Sequence, residues 1–159
     1  MGWQPICSGS RVTLPSKADH RPPRERAYVA LGSNLGDRAG HLLRAREALA
    51  ALPDTELLAA STIEETAPLA GMRQPPYLNQ MVLLETGLEP RELLEACWAI
   101  EQQAGRERTE RWGPRTLDLD IVQFGARHVS DSDLIIPHPE LSRRDFWQRE
   151  LAELNSHER

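Results

Sequence analysis

The run Leu117–Phe124 (LDLDIVQF) does most to decide what this chain can fold into. Leu117, Leu119 and Ile121 alternate with Asp118 and Asp120, and a period of two is the pattern of a half-buried strand. Side chains two apart on a strand share a face, so both carboxylates point one way while the leucines enter a core. Two like charges held side by side repel unless a cation sits between them. Just upstream, Arg106, Arg108, Arg111 and Arg115 surround Trp112-Gly113-Pro114. A carboxylate pair beside an arginine-rich loop has the parts that Mg²⁺-dependent polyphosphate chemistry requires.

The segments before that strand set its architecture. Residues 1–26 are rich in Pro, Ser and Arg with no useful period, and read as a disordered N-terminal extension. A domain over 27–159 opens at Ala27, with a short buried strand, Tyr28-Val29-Ala30-Leu31. The turn Gly32–Asp37 ends it, and Asp37 is placed to cap a helix over 38–52, which Pro53 stops. This turn is neither a Walker loop nor GxGxxG, so alone it signals only strand packed against helix. One strand is expected over 56–65, a Gly/Pro-rich loop over 66–76 and another strand over 77–86. After a turn at Gly87–Pro90 comes a helix over 91–103, closed by Gly105. Short strands follow around Asp131-Ser132-Asp133, then the rigid Pro137-His138-Pro139, then an amphipathic helix over 146–155.

The order β-α-β-β-α-β from Tyr28 to Phe124 predicts an α+β fold with a ferredoxin-like core. Two helices would pack on one face of an antiparallel sheet and the later elements on the other, giving three layers, α/β/α. A chain of 159 residues can bury a real core as one domain. Its net charge of −5 supplies no global field for nucleic acid. Two cysteines, Cys7 and Cys97, are too few for a disulfide framework, and Cys97 reads as a core thiol. No apolar run approaches the roughly 18 residues of a membrane span, so the expectation is a cytoplasmic protein with no membrane partner.

Several residues carry two readings on pattern alone. Tyr77 and Asn79 share a strand face and either stack on and hydrogen-bond a flat heterocycle, or plug and cap an edge. Glu101 is either solvated or a ligand to a polar group. The arginine run is ordinarily a solvated surface, but Gly113 and Pro114 make it a loop, and guanidinium forks match phosphate oxygens. A split βαβ sheet also serves as an RNA-binding module, although the acidic balance and the lack of an aromatic-rich strand speak against that.

RWGPRTLDLDI (111–121) resembles the signature of the 6-hydroxymethyl-7,8-dihydropterin pyrophosphokinase family. ALGSNLGD (30–37), TAPLAG and QPPYLN (within 66–79), GRER (105–108) and IPHPEL (136–141) are similar to its other blocks, in the same order. The resemblance implies transfer of the β,γ-diphosphate of ATP to the 6-hydroxymethyl oxygen of a dihydropterin, releasing AMP, in tetrahydrofolate biosynthesis. It implies two Mg²⁺ ions held by Asp118 and Asp120, with Arg106 and Arg115 also catalytic. It places Thr66, Leu69, Tyr77, Asn79 and Phe146 around the pterin. It places Gln74, Glu101, Arg106, Arg108, Trp112, Arg115, Ile121, His138 and Arg144 around ATP. The partners implied are these two small molecules, with the protein a monomer or, alternatively, a dimer. The chain departs from the family pattern at Ala67 and Pro139, and in its polar ending DFWQRELAELNSHER. That ending makes Trp147 an alternative to Phe146, and a non-catalytic pterin- or nucleotide-binding relative the alternative function.

Overall fold

β1 (Glu25–Ser33) is buried without a break from Ala27 to Leu31, which means that both of its faces are covered. The computed structural model, which describes residues 22–68, 71–105 and 116–157, shows how. The other elements are α1 (Arg38–Ala50), β2 (Thr55–Ala60), β3 (Glu64–Thr66), β4 (Tyr77–Thr86) and α2 (Pro90–Gln103). They are followed by β5 (Asp118–Phe124), β6 (Val129–Ser130), β7 (Ile135–Ile136) and α3 (Asp145–Ser156). The main sheet runs β2-β4-β1-β5, all antiparallel, with β3 also on β4, and β6 pairs with β7 apart from it. This is the expected α+β ferredoxin-like order, with β1 central and β5 at an edge.

Strand alternation divides the interior into two cores. Ala27, Val29, Leu31, Val82, Leu84, Leu119 and Ile121 face α1 and α2, meeting Leu42, Leu49, Leu93 and Cys97. Tyr28, Ala30, Met81, Leu83 and Val122 face the other way, against Trp147, Leu151 and Leu154 of α3. The polar C-terminal segment is therefore an amphipathic helix that completes the third layer, and the helices do lie on both faces. Local chemistry fixes the helix ends. Asp37 accepts from the Gly40 N–H at 3.1 Å, while Glu89 and Glu92 form a capping box around Pro90. Gly105, with φ +77°, turns the chain out of α2.

Two boundaries differ from expectation. The single strand expected over 56–65 is two strands: at Ser61 the N–H still donates to Met81 O at 2.8 Å, but the return bond goes to a side chain, the Ser61 hydroxyl accepting from Met81 N–H at 2.9 Å. Glu153 of α3 then takes the Thr62 N–H and hydroxyl at 2.9 and 2.8 Å, holding the break open. β1 also begins at Glu25, two residues before the expected opening at Ala27, tied by an Arg127–Glu25 ion pair at 2.6 Å.

Candidate active site

The strand register brings the site residues into rows. Gly32 stands opposite Asn79 on one side and Asp118 on the other, and Ala30 stands between Met81 and Asp120. Asp118 and Asp120 therefore share the α3-side face with Tyr77 and Asn79, as the spacing of two predicts. Both carboxylates are only partly buried. A Cβ at Gly32 would stand 3.6 Å from Asn79 Oδ1 and 3.7 Å from Tyr77 Cδ1, so glycine leaves a shallow floor between these groups. Asn79 is 7 % exposed, and its amide donates to Thr66 Oγ1 at 2.7 Å across the β3–β4 pairing. Thr66, Tyr77 and Asn79 thus form one corner beside the aspartates.

The outer edge of β5 is satisfied from two directions. Glu101, 3 % exposed on α2, accepts from the Leu119 N–H at 2.9 Å, between the two aspartates. The His138 N–H donates to Val122 O at 2.9 Å. The His138 ring accepts at Nδ1 from the Glu140 N–H (3.1 Å), which leaves the ring proton on Nε2, 3.7 Å from Asp120 Oδ1. Trp147 meets His138 edge-on at 4.9 Å, and the Arg144 guanidinium lies 4.4 Å over the indole. Beside this edge is a cavity of about 350 Å³, lined by Leu94, Trp98 and Glu101 of α2, residues 118–121 of β5, the β6–β7 turn, His138 and Pro139. The aspartates lie where this cavity meets the sheet face.

The residues expected around a nucleotide divide accordingly. Glu101, Ile121 and His138 line the cavity; Arg144 stacks on Trp147 instead. Gln74 sits on the 71–76 loop, where its Oε1 accepts from Asn34 Nδ2 at 3.2 Å. Leu69, Arg106, Arg108, Trp112 and Arg115 lie outside the described residues. Phe146 is partly buried on the first turn of α3, 6.2 Å from Trp147, whereas Trp147 is 2 % exposed and belongs to the core. Of the two aromatics, Phe146 is the one with surface left to offer a ligand.

Two positions have no signal in the sequence beyond a turn and a helix start. Asn34, 1 % exposed, also donates to Pro75 O at 3.4 Å, and Arg38 donates to Pro76 O at 2.8 Å and Glu65 at 3.2 Å. They fasten the loop that enters β4. Cys97 is a buried core thiol, its pKa pushed up by burial, then by Glu101 and Asp120, so it offers no nucleophile.

Fold and site together define a ferredoxin-like α+β enzyme with a carboxylate pair at the mouth of an edge cavity. The chain belongs to the family described as 7,8-dihydro-6-hydroxymethylpterin-pyrophosphokinase (HPPK), which its residues 28–156 match. It is similar to the 2-amino-4-hydroxy-6-hydroxymethyldihydropteridine pyrophosphokinases of Methylorubrum extorquens and Pseudomonas aeruginosa. The first is 43 % identical over 129 residues, 81 % of this chain and 82 % of the relative. The second is 43 % identical over 130 residues, covering 82 % and 80 %. The Bacillus subtilis enzyme of the same name is 43 % identical over 128 residues, covering 80 % and 77 %. No helix among the described residues is long and apolar enough to cross a membrane.

Proposed function

We propose that the protein transfers the β,γ-diphosphate of ATP to the 6-hydroxymethyl oxygen of 6-hydroxymethyl-7,8-dihydropterin, as a step of tetrahydrofolate biosynthesis. The acceptor oxygen attacks the β-phosphorus, the bond from that phosphorus to the α,β-bridging oxygen breaks, and AMP leaves with the bridging oxygen. The hydroxyl proton passes to solvent. The observation that carries this reading is the position of Asp118 and Asp120, between the Thr66–Tyr77–Asn79 corner and the edge cavity.

The pterin belongs on the corner, with Tyr77 and Phe146 offering ring faces and Asn79 and Thr66 offering polar atoms. Leu69 joins them by family resemblance. The nucleotide belongs in the edge cavity against Ile121, Glu101 and His138. Arg106, Arg108 and Arg115, with Trp112, Gln74 and Arg144, are assigned to it by the same resemblance. Guanidinium forks there would balance polyphosphate charge. Asp118 and Asp120 fit a Mg²⁺ pair as donors, being oxygen-only, partly exposed and on one face. Among the described residues no cluster of three or more His, Cys, Asp or Glu side chains is set up to hold a metal. Mg²⁺ commonly keeps several waters and substrate phosphate oxygens, which would fill the remaining coordination positions. When bound, the ions would supply charge neutralisation at the phosphates and a more acidic acceptor hydroxyl. His138, with its Nε2 proton toward Asp120, orients that carboxylate, and Glu101 fixes the backbone between the two.

The test is AMP release from ATP with the hydroxymethyl dihydropterin as acceptor. Asp120→Asn keeps the shape and removes the charge, and is expected to lower turnover by roughly a thousandfold with the fold intact. Near-wild-type turnover in that variant would end the carboxylate reading. No acceptor-dependent AMP in the wild type would end the assignment of the reaction.

A further inference from the structure

Glu150 lies on the inward face of α3, 3 % exposed, and neither carboxyl oxygen has a hydrogen-bond partner. Its helix neighbours Trp147, Leu151 and Leu154 pack on Tyr28, Ala30, Met81 and Leu83, so the surroundings offer little to solvate a charge. The charged groups that face it are Glu64 from β3 and Glu153 and Arg149 from α3 itself. Arg149 is already paired with Glu64, and Glu153 holds Thr62. From β1 the titratable group is Tyr28, whose hydroxyl donates to Asn155 Oδ1 at 2.6 Å. β4 contributes Met81 and Leu83. Two acidic neighbours against one committed cation leave an ionised Glu150 without compensation.

We propose that Glu150 is a positioning residue whose bound proton strengthens the docking of α3, so that the wall offered by Phe146 loosens in alkali. Burial first, then Glu64 and Glu153, push this carboxyl up to about 8 from 4.5. A folded value above the unfolded one means that the undocked helix releases its proton at lower pH. Docking is therefore fully stable below about 4.5, weakens as pH rises toward 8, and levels off at its weakest above that. The first turn of α3 carries Phe146 and Trp147, and Trp147 touches His138, so a loosened helix is felt in the site.

Amide hydrogen exchange across Asp145–Ser156 reads this directly. After correction for the intrinsic rate, wild-type protection should fall about tenfold between pH 7 and 9, while Glu150→Gln stays level. Glu64→Gln removes a like charge and frees Arg149, so its fall should move to lower pH; this variant carries the test even if Glu150→Gln does not fold. An equal fall in wild type and Glu150→Gln, or none in the wild type, would overturn the latch. A second arm rests on the function proposed above. The KM for the dihydropterin should rise over the same pH range in the wild type and stay level in Glu150→Gln. A pH step in exchange without one in KM would keep the latch and remove Phe146 from the pterin wall.

Discussion

A buried carboxylate can serve a strand's backbone, and Glu101 does so. β5 is an edge strand, and an edge leaves alternate N–H groups without a ladder partner. Glu101 Oε1 takes the one on Leu119, so the peptide between Asp118 and Asp120 is held from α2. Removing the carboxylate should leave a buried donor unsatisfied, at a cost of about 1–3 kcal/mol. Glu101→Ala is therefore expected to lower both the urea midpoint and turnover, whereas Glu101→Gln, which keeps an acceptor oxygen, should recover most of the stability. Equal losses in the two variants would mean that the charge, not the acceptor, matters. The sequence leaves Glu101 between solvated residue and polar ligand, because helical spacing shows a face but not what that face meets. The Asp118/Asp120 pair is legible, because strand geometry alone puts residues two apart on one face. Asn34 is not: its partners Gln74 and Pro75 are forty or so residues away, and nothing local marks the meeting.

Elements show the same contrast between local and distant information. The helices and β4 follow from periodicity, caps and Pro or Gly stops, all of which act within a few residues. The break inside 55–66 does not, since Ser61 answers to Met81 and Thr62 to Glu153. The β6–β7 turn is a further case. Its two short strands can be read from the sequence, but its anchor is Arg91 in the first turn of α2. That guanidinium reaches both oxygens of Asp133 at 2.7 and 2.8 Å and Asp131 at 3.1 Å. Residues 132–135 of the turn line the edge cavity opposite α2, so this clamp sets the cavity's width. All three side chains are substantially exposed, which makes the pair weak as a stabiliser and open to screening. Arg91→Ala is accordingly expected to leave the melting temperature almost unchanged and to raise the KM for ATP a few-fold, with the acceptor's KM unaffected. High salt should reproduce part of the effect in the wild type and none in the variant. A shift confined to the acceptor's KM would place the nucleotide elsewhere.

At the scale of the molecule, one sheet separates two cores with different duties. The α1/α2 core is the larger, and its side of the sheet presents Val29, Leu31, Leu119 and Ile121. The α3 core is smaller, and the same face of the sheet continues outward into Asn79, Tyr77, Asp118 and Asp120. Mutations of equal severity in the two cores should therefore differ in kind. Leu49, fully buried on the inner face of α1, has no path to the site except through global stability. Leu49→Ala should cost about 2–5 kcal/mol while the molecules that remain folded turn over normally. Trp147 is equally buried, but its ring bears on His138 and carries Arg144. Trp147→Ala should cost about 3–5 kcal/mol and also reduce turnover per folded molecule, since His138 loses the surface that aims it at Asp120. Urea titration gives the folded fraction, and AMP release normalised to that fraction separates the two effects. Equal normalised turnover in both variants would mean that α3 only closes the sheet and has no part in shaping the site.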